Sequence, residues 1–124
     1  MSKKIVGIDP GVTTGLCVFY MGKMVDGREA MSVEEVIKYI EDNEPDLVVM
    51  EDYIIGRRPS RPKEPIKVIG VVEYVCRKMG LEVVLQSPSI LKLMMRRVDD
   101  FHRSDHVRSA CAHVIYYIES RLCG

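Results

Sequence analysis

The sequence predicts an α/β domain built on a mixed five-stranded sheet with helices on both faces. Three observations predict it: three early segments of strand-forming residues, a change to helical spacing after Ser32, and alternating helical and strand patterns from there on. A chain of 124 residues has the size of one domain, and 47% apolar residues are enough for one packed core. We therefore expect a single domain over residues 1–124, with its main elements in the order βββαβαβα.

The first half of the chain predicts three strands, a helix and a fourth strand. Three early runs are typical of a meander, at residues 5–9, 14–20 and 23–26. From Ser32 the apolar positions recur at helical spacing, which predicts a helix capped by Ser32 and ending near Asn43. The apolar run at residues 46–51 then predicts a strand that is buried on both faces.

The second half predicts a basic loop followed by helices and a fifth strand. Residues 56–65, GRRPSRPKEP, contain three prolines and four basic side chains, a composition that excludes regular structure. A helix from Pro65 to Met79 should then face the core with a stripe of Val68, Val71, Val72, Val75 and Met79. Three further elements are expected: a strand at 82–86, a short helix at 87–95 and a long helix at 104–122.

Charge and composition narrow the classes of function. The 18 basic and 18 acidic residues balance, but residues 26–52 carry a net −8 and residues 53–124 a net +6, so a polyanion would meet the second half. No run approaches the roughly 18 apolar residues of a membrane span, and we expect a cytoplasmic protein. Four cysteines lack zinc-site spacing and are expected to be reduced, most of them in the core: Cys17, Cys76, Cys111 and Cys123.

Two acidic residues end strands that we expect to be neighbours. Asp9 closes the first strand, in GIDPG, and Glu51 closes the strand after the first helix, in VVMED. Two carboxylates at corresponding strand ends would face one crevice, where ligands of open α/β sheets bind. A divalent cation between them would offset their repulsion, and Mg²⁺ or Mn²⁺ favours such oxygen ligands. Alternatively, each acidic residue simply meets solvent at the end of its strand.

A second polar group opens the last helix, in FHRSDH. His102 and Asp105 are three positions apart, so within a helical turn they share a face and could reach one metal. An aspartate in the first turn is also an ordinary partner of the helix dipole. A helical wheel at about 100° per residue places Asp105 roughly 145° from the centre of the apolar stripe, so periodicity leaves both interpretations open.

The motifs together resemble a known family. GIDPGVTTG, VVMED, the valine-rich helix, VVLQSPSILK and an H-x-x-D at the start of the last helix resemble the RuvC-type Holliday junction resolvases of the ribonuclease H superfamily. The compact, phage-type members are the most similar, and the likeness runs from about residue 5 to residue 118. It implies a ribonuclease H-like fold, a homodimer, two Mg²⁺ or Mn²⁺ ions per site and cleavage of branched DNA such as a four-way junction.

The resemblance also implies roles for individual residues. Asp9 would bridge both metals, Glu51 would be the second carboxylate and Asp105 the carboxylate of the last helix. His102 falls where the family has its fourth ligand, which is usually acidic. Lys92 matches a recurring lysine of the PSxxK stretch. Gly11 and Gly15 would let the backbone approach the scissile phosphate, or are ordinary turn glycines.

Basic residues supply the expected contacts to nucleic acid. They follow Glu51 or lie near the start of the last helix: Arg57, Arg58, Arg61, Lys63, Lys92, Arg96, Arg97 and Arg103. Beside an acidic cluster such residues fit phosphate contacts, although basic loops are often only solvated linkers. Two other functions stay open: an RNA-processing nuclease of the YqgF type, which shares the GIDxG opening, and a non-catalytic nucleic-acid-binding module.

Overall fold

The sheet has five strands in the order β3-β2-β1-β4-β5 in a computed structural model that describes residues 3–52 and 63–123. The strands are β1 (Lys4–Asp9), β2 (Thr14–Tyr20), β3 (Lys23–Ala30), β4 (Leu47–Glu51) and β5 (Glu82–Gln86). The helices are α1 (Val33–Asn43), α2 (Glu64–Met79), α3 (Leu91–Met94) and α4 (Asp105–Cys123). The α/β class and the order βββαβαβα are confirmed, with α3 as the short extra helix.

The sheet is mixed, as predicted. Strands β1, β2 and β3 form an antiparallel meander, whereas β4 runs parallel to β1 and β5 parallel to β4. The prediction for β3 was too short, because the strand continues past residue 26 to Ala30, which pairs with Thr14. Pairing with the whole length of β2 outweighs the weak strand propensity of Asp26, Gly27 and Glu29.

Helices cover both faces of the sheet. Side chains of α1 and α2 pack against one face, in a core that includes Val6, Ile8, Val36, Ile40 and Val72. The other face packs against α4 and the segment around α3, in a core that includes Ile5, Cys17, Val49, Met94 and Val114. Cys17, Cys76 and Cys111 are buried and free, as expected, whereas the side chain of Cys123 lies outside the described part.

The first helix begins where the sequence predicts. The Ser32 hydroxyl accepts from the Glu35 N–H at 3.2 Å and donates to the Glu35 carboxylate at 3.1 Å. The same carboxylate accepts from the Met31 N–H at 3.2 Å. The Ser32 cap satisfies one of the amide groups that the first helical turn leaves without partners, and the Glu35 carboxylate holds the backbone just before the cap.

Helix α2 is rotated from its predicted orientation. It buries Val68, Ile69, Val72 and Cys76, whereas Met79 of the predicted stripe is exposed. The sequence offers apolar residues around most of this helix, so its periodicity did not define one face. Gly80 ends the helix in a left-handed conformation, as predicted.

The segment between β5 and α4 is less regular than the predicted helix at 87–95. It consists of a 3₁₀ turn at Pro88–Ile90, then α3, then a second 3₁₀ turn at Met95–Val98. Its buried side chains recur every four residues, at Ile90, Met94 and Val98. Met94 and Val98 pack in the core beneath α4.

Helix α4 lies very close to the sheet. A Cβ atom added to Gly7 would come within 2.5 Å of Val114 Cγ2, and one added to Gly15 would overlap the backbone carbonyl oxygen of His106. Glycine at these positions therefore permits the approach of the helix, a role that we did not assign to Gly15 from sequence. In the described ranges, no helix is long and apolar enough to cross a membrane.

Candidate active site

Three polar side chains end three neighbouring parallel strands on one face of the sheet. They are Asp9 on β1, Glu51 on β4 and Gln86 on β5. Strand alternation directs all three toward α4, since every second residue before them faces the core beneath that helix. Glu51 and Gln86 are direct partners in the β4–β5 register, and the pairing of Ile8 with Met50 brings Asp9 beside Glu51. The predicted pairing of the two carboxylates is therefore present.

The two carboxyl groups interact directly. The pKa of Asp9 is raised from 3.8 to about 8, chiefly by burial and also by the negative charge of Glu51 and a hydrogen bond between the two side chains. A hydrogen bond from the Ser109 hydroxyl acts in the opposite direction and lowers the Asp9 pKa. Without a cation, Asp9 therefore keeps its proton at neutral pH.

Helix α4 supplies the partners of this acidic pair. Ser109 and His113 are one turn apart, so they lie on the same face of the helix. The His113 ring is fully buried, and its Nε2 lies 3.0 Å from Glu51 Oε1. On the other edge of the ring, Nδ1 lies 2.9 Å from Oε1 of Gln86. Each strand-end side chain thus meets a polar group of α4.

Asp105 and His102 do not join the pair in this structure. The Asp105 side chain is 83% exposed and forms an ion pair with Arg108. His102 Nδ1 accepts from the Ser104 N–H at 3.0 Å, and its ring lies against Gly27 of β3, two strands away from β1. The expectation that four ligands converge is therefore not met, because these local contacts hold the two side chains away from Asp9.

The donor set nevertheless fits a divalent cation. Across the described ranges, no group of three or more His, Cys, Asp or Glu side chains is close enough to hold a metal. Mg²⁺, however, is commonly bound by one or two carboxylates, with waters and substrate phosphates as its other ligands. Asp9 and Glu51 provide two such carboxylates, and a cation between them would relieve the repulsion that raises the Asp9 pKa.

Most of the described basic residues are exposed. Lys63 directly precedes α2, while four others follow the end of β5 at Gln86: Lys92, Arg96, Arg97 and Arg103. Arg97 forms an ion pair with Glu119, so its charge is partly offset. The remaining predicted contacts, Arg57, Arg58 and Arg61, lie outside the described residues.

Sequence reasoning missed His113 and Gln86. The pattern of residues around each of them could have indicated its position at the site. His113 follows Ser109 by four positions and Asp105 by eight, which places a titratable side chain on their helix face inside an apolar window. Gln86 ends the third parallel strand, and the carboxyl ends of parallel strands meet at one edge of a sheet.

Comparison with known proteins identifies the class of fold. The chain is similar to RuvC of T. thermophilus in complex with a Holliday junction substrate, with a TM-score of 0.72 and 19% identity over 90% of this chain and 89% of that one. A structure of Thermus thermophilus RuvC gives a TM-score of 0.69 and 17% identity, covering 89% of this chain and 90% of that chain. No protein-family sequence model matches the chain, and no curated protein is similar in sequence.

A viral protein has the same fold. The Fowlpox virus resolvase, in complex with Holliday junction DNA, gives a TM-score of 0.68 and 12% identity, covering 94% of this chain and 99% of that chain. The fold and the paired carboxylates define an α/β protein with a ribonuclease H-like sheet. Within that class the chain has the fold of RuvC-like resolvases, as the motifs implied.

Proposed function

We propose that this protein is a metal-dependent endonuclease that resolves four-way DNA junctions or related branched DNA. The contact between Asp9 and Glu51, at the carboxyl edge of a RuvC-like sheet, carries the proposal. Burying two like charges side by side is costly unless a cation is bound there. Two of the similar structures are resolvases in complex with junction DNA, which supports a junction as the substrate.

Asp9 and Glu51 would hold Mg²⁺ or Mn²⁺, two ions per site, together with the phosphate of the substrate. Asp105 is the third proposed ligand, because α4 carries it one turn before Ser109 on the face directed at Asp9. Its ion pair with Arg108 is on the surface and costs little to exchange. His102 is left out of the proposed set because its ring packs against β3.

The divalent ions, when bound, favour attack of water on the phosphodiester and stabilise the leaving oxygen. The chain's own residues arrange the site for this chemistry. The Ser109 hydroxyl holds the Asp9 carboxylate, and His113 holds the carboxylate of Glu51. Both carboxylates face the core side of α4, where partial burial strengthens their interaction with a cation.

A panel of substrates tests this function. Labelled four-way junction, duplex DNA and structured RNA would each be incubated with Mg²⁺, Mn²⁺ or EDTA. We expect cleavage of the junction with either metal and none in EDTA, and loss of cleavage in Asp9→Asn but not in the surface control Asp42→Asn. Preferential cleavage of RNA would favour the RNA-processing alternative. Junction binding without cleavage under all conditions would favour a non-catalytic module.

We propose that the basic segments contact DNA phosphates. The test variant replaces four residues by alanine: Arg57, Arg58, Arg61 and Lys63. Each lost phosphate contact should lower the slope of log affinity against log salt by about 0.9, so the variant should bind the junction more weakly and with a flatter salt dependence. The control Lys38→Ala lies on the exposed side of α1 and should change neither quantity. Unchanged affinity and slope in the quadruple variant would indicate that the DNA binds over Lys92 and Arg96 instead.

We propose that the protein acts as a homodimer that pairs through α2. This helix leaves Ile66, Gly70 and Tyr74 exposed at spacings of four residues, on the side away from its buried residues. A junction has two strands to cut, and a two-fold dimer presents two equivalent sites. Sedimentation should show a dimer at micromolar concentration, a monomer for Tyr74→Glu and a dimer for the edge-strand control Val25→Glu. A wild-type monomer, with and without DNA, would contradict the proposal.

A further inference from the structure

We propose that His113 is a positioning residue that orients the Glu51 carboxylate for metal binding. The inference rests on the proposed metal site and deepens it. The side chain of His113 is 0% exposed. Its two ring nitrogens engage two different strands, with Glu51 of β4 at 3.0 Å and Gln86 of β5 at 2.9 Å.

The register of the sheet explains why one imidazole can meet both partners. Glu51 and Gln86 are direct partners across β4 and β5, so their side chains stand side by side on the face covered by α4. The nitrogens of imidazole lie on opposite sides of its ring, and one ring inserted from α4 therefore bridges the two side chains. The ring presents Nε2–H to the Glu51 carboxylate, and the side-chain amide of Gln86 holds Nδ1 and so fixes the orientation of the ring.

The complete burial of the His113 imidazole distinguishes it from an ordinary apolar core residue. The residues on either side of His113 along α4, Ala112 and Val114, are fully buried and apolar. An apolar side chain at position 113 would need no hydrogen-bond partner there. An imidazole there requires partners for both nitrogens, and the described side chains leave no buried nitrogen or oxygen unpaired. The Glu51 side chain is only 17% exposed, so water is a poor substitute for the His113 donor.

A histidine that donates to a metal-binding carboxylate restricts its rotamers and aims its oxygens. Partners of this kind typically change metal affinity by 10- to 100-fold when removed. The fold suits this role because α4 is held rigidly against the sheet through the close contact at Gly7. Glu51 would therefore reach the cation in one prepared orientation.

Two amide substitutions separate the two contacts of the ring. In His113→Gln the side-chain amide reaches the position of Nε2 and can still donate to Glu51. In His113→Asn the amide reaches only the position of Nδ1, so it keeps Gln86 and loses Glu51. We expect Mn²⁺ affinity, measured by calorimetry on the full chain without DNA, to fall about 10- to 100-fold in His113→Asn and less than about fivefold in His113→Gln. Equal losses in both variants, or no loss in either, would overturn the proposal.

A spectroscopic measurement on the wild-type chain covers the case in which a variant does not fold. With ¹⁵N-labelled histidine, addition of Mg²⁺ should shift the Nε2 resonance of His113 more than the resonances of His102 and His106. The shift should disappear in Glu51→Ala. A His113 resonance that does not respond to Mg²⁺ would overturn the positioning role.

Neither readout uses DNA, which keeps this inference separable from the proposed endonuclease. Suppose that Mn²⁺ affinity differs between His113→Asn and His113→Gln as expected, but the wild type cuts no junction. The positioning role then holds, and the proposed endonuclease function is wrong. If the wild type cuts junctions but the two variants have equal Mn²⁺ affinity, the endonuclease function holds and the positioning role is wrong. Absence of Mn²⁺ binding in the wild type would overturn the positioning role outright.

Discussion

Asp9→Asn should make the metal-free protein more stable while removing its activity. In the folded protein the Asp9 carboxyl is part-buried beside Glu51, and its pKa rises from 3.8 to about 8. At neutral pH the folded state therefore either holds an unfavourable charge or takes up a proton that the unfolded chain has lost. Asparagine has the same shape, donates its amide to Glu51 as protonated Asp9 does, and carries no charge.

The magnitude follows from the shift in pKa. At 1.36 kcal/mol per pKa unit, a group raised from 3.8 to about 8 lowers the stability at pH 7.5 by at most about 5 kcal/mol. The asparagine amide also has a desolvation cost, so we expect a net gain of about 2–4 kcal/mol. For a chain of this size that gain corresponds to a rise in Tm of roughly 6–20 °C.

The pH dependence has a definite sign. A carboxyl whose folded pKa is raised is destabilising above its unfolded pKa, so wild-type stability should fall as the pH rises from about 4 to about 8. The difference between Asp9→Asn and wild type should be small at pH 4 and largest near pH 8. Urea unfolding in EDTA at several pH values measures it.

Asp42→Asn is the matched control for this experiment. Asp42 forms an exposed ion pair with Lys38 on α1, so its substitution should change the free energy of unfolding by less than about 1 kcal/mol at any of these pH values. The reasoning is refuted if Asp9→Asn is no more stable than wild type in EDTA at pH 7.5. A stability difference that is independent of pH would refute it equally, because then the charge of Asp9 is not its cause.

Two further predictions concern the fold. Gly15→Ala should destabilise the protein by about 3 kcal/mol or more in urea unfolding, because the new Cβ overlaps the His106 carbonyl oxygen and α4 must move. Its control, Gly70→Ala, is measured in the Tyr74→Glu variant, which is expected to be a monomer. There the new Cβ has open space on the exposed side of α2 and should stabilise the protein by about 0.5–1 kcal/mol. A similar effect of both substitutions would contradict the close approach of α4. Ser32→Ala removes the α1 cap and should cost about 1 kcal/mol in the same assay, whereas Ser32→Gly should cost only a few tenths.

The order of elements and the pair of strand-end carboxylates were predictable from sequence, because both depend on local patterns. Asp9 and Glu51 each end a short apolar run, and the crossover through α1 makes their strands parallel neighbours. The start of α1 was equally local, since the Ser32 hydroxyl accepts from the Glu35 N–H and donates to the Glu35 carboxylate.

The second buried face of α4, the end of β3 and the direction of the Asp105 side chain depend on tertiary contacts that no local sequence pattern contains. Periodicity identifies one apolar face of α4, but tertiary packing also buries Ser109, Ala112 and His113 on a second face. Strand propensity ends β3 too early because it ignores pairing with β2. The motif order points to Asp105 as a candidate ligand, yet in the structure its exposed side chain pairs with Arg108.

Anomalous diffraction from a crystal of the wild-type chain soaked with Mn²⁺ tests the assignment of the metal site most directly. A peak should appear between Asp9 and Glu51, within roughly 2–2.3 Å of at least one carboxylate oxygen of each residue. The peak should be absent in a crystal of Asp9→Asn soaked in the same way. No peak between these carboxylates in the wild type, or a peak that survives in Asp9→Asn, would contradict the metal centre on which the proposed endonuclease depends.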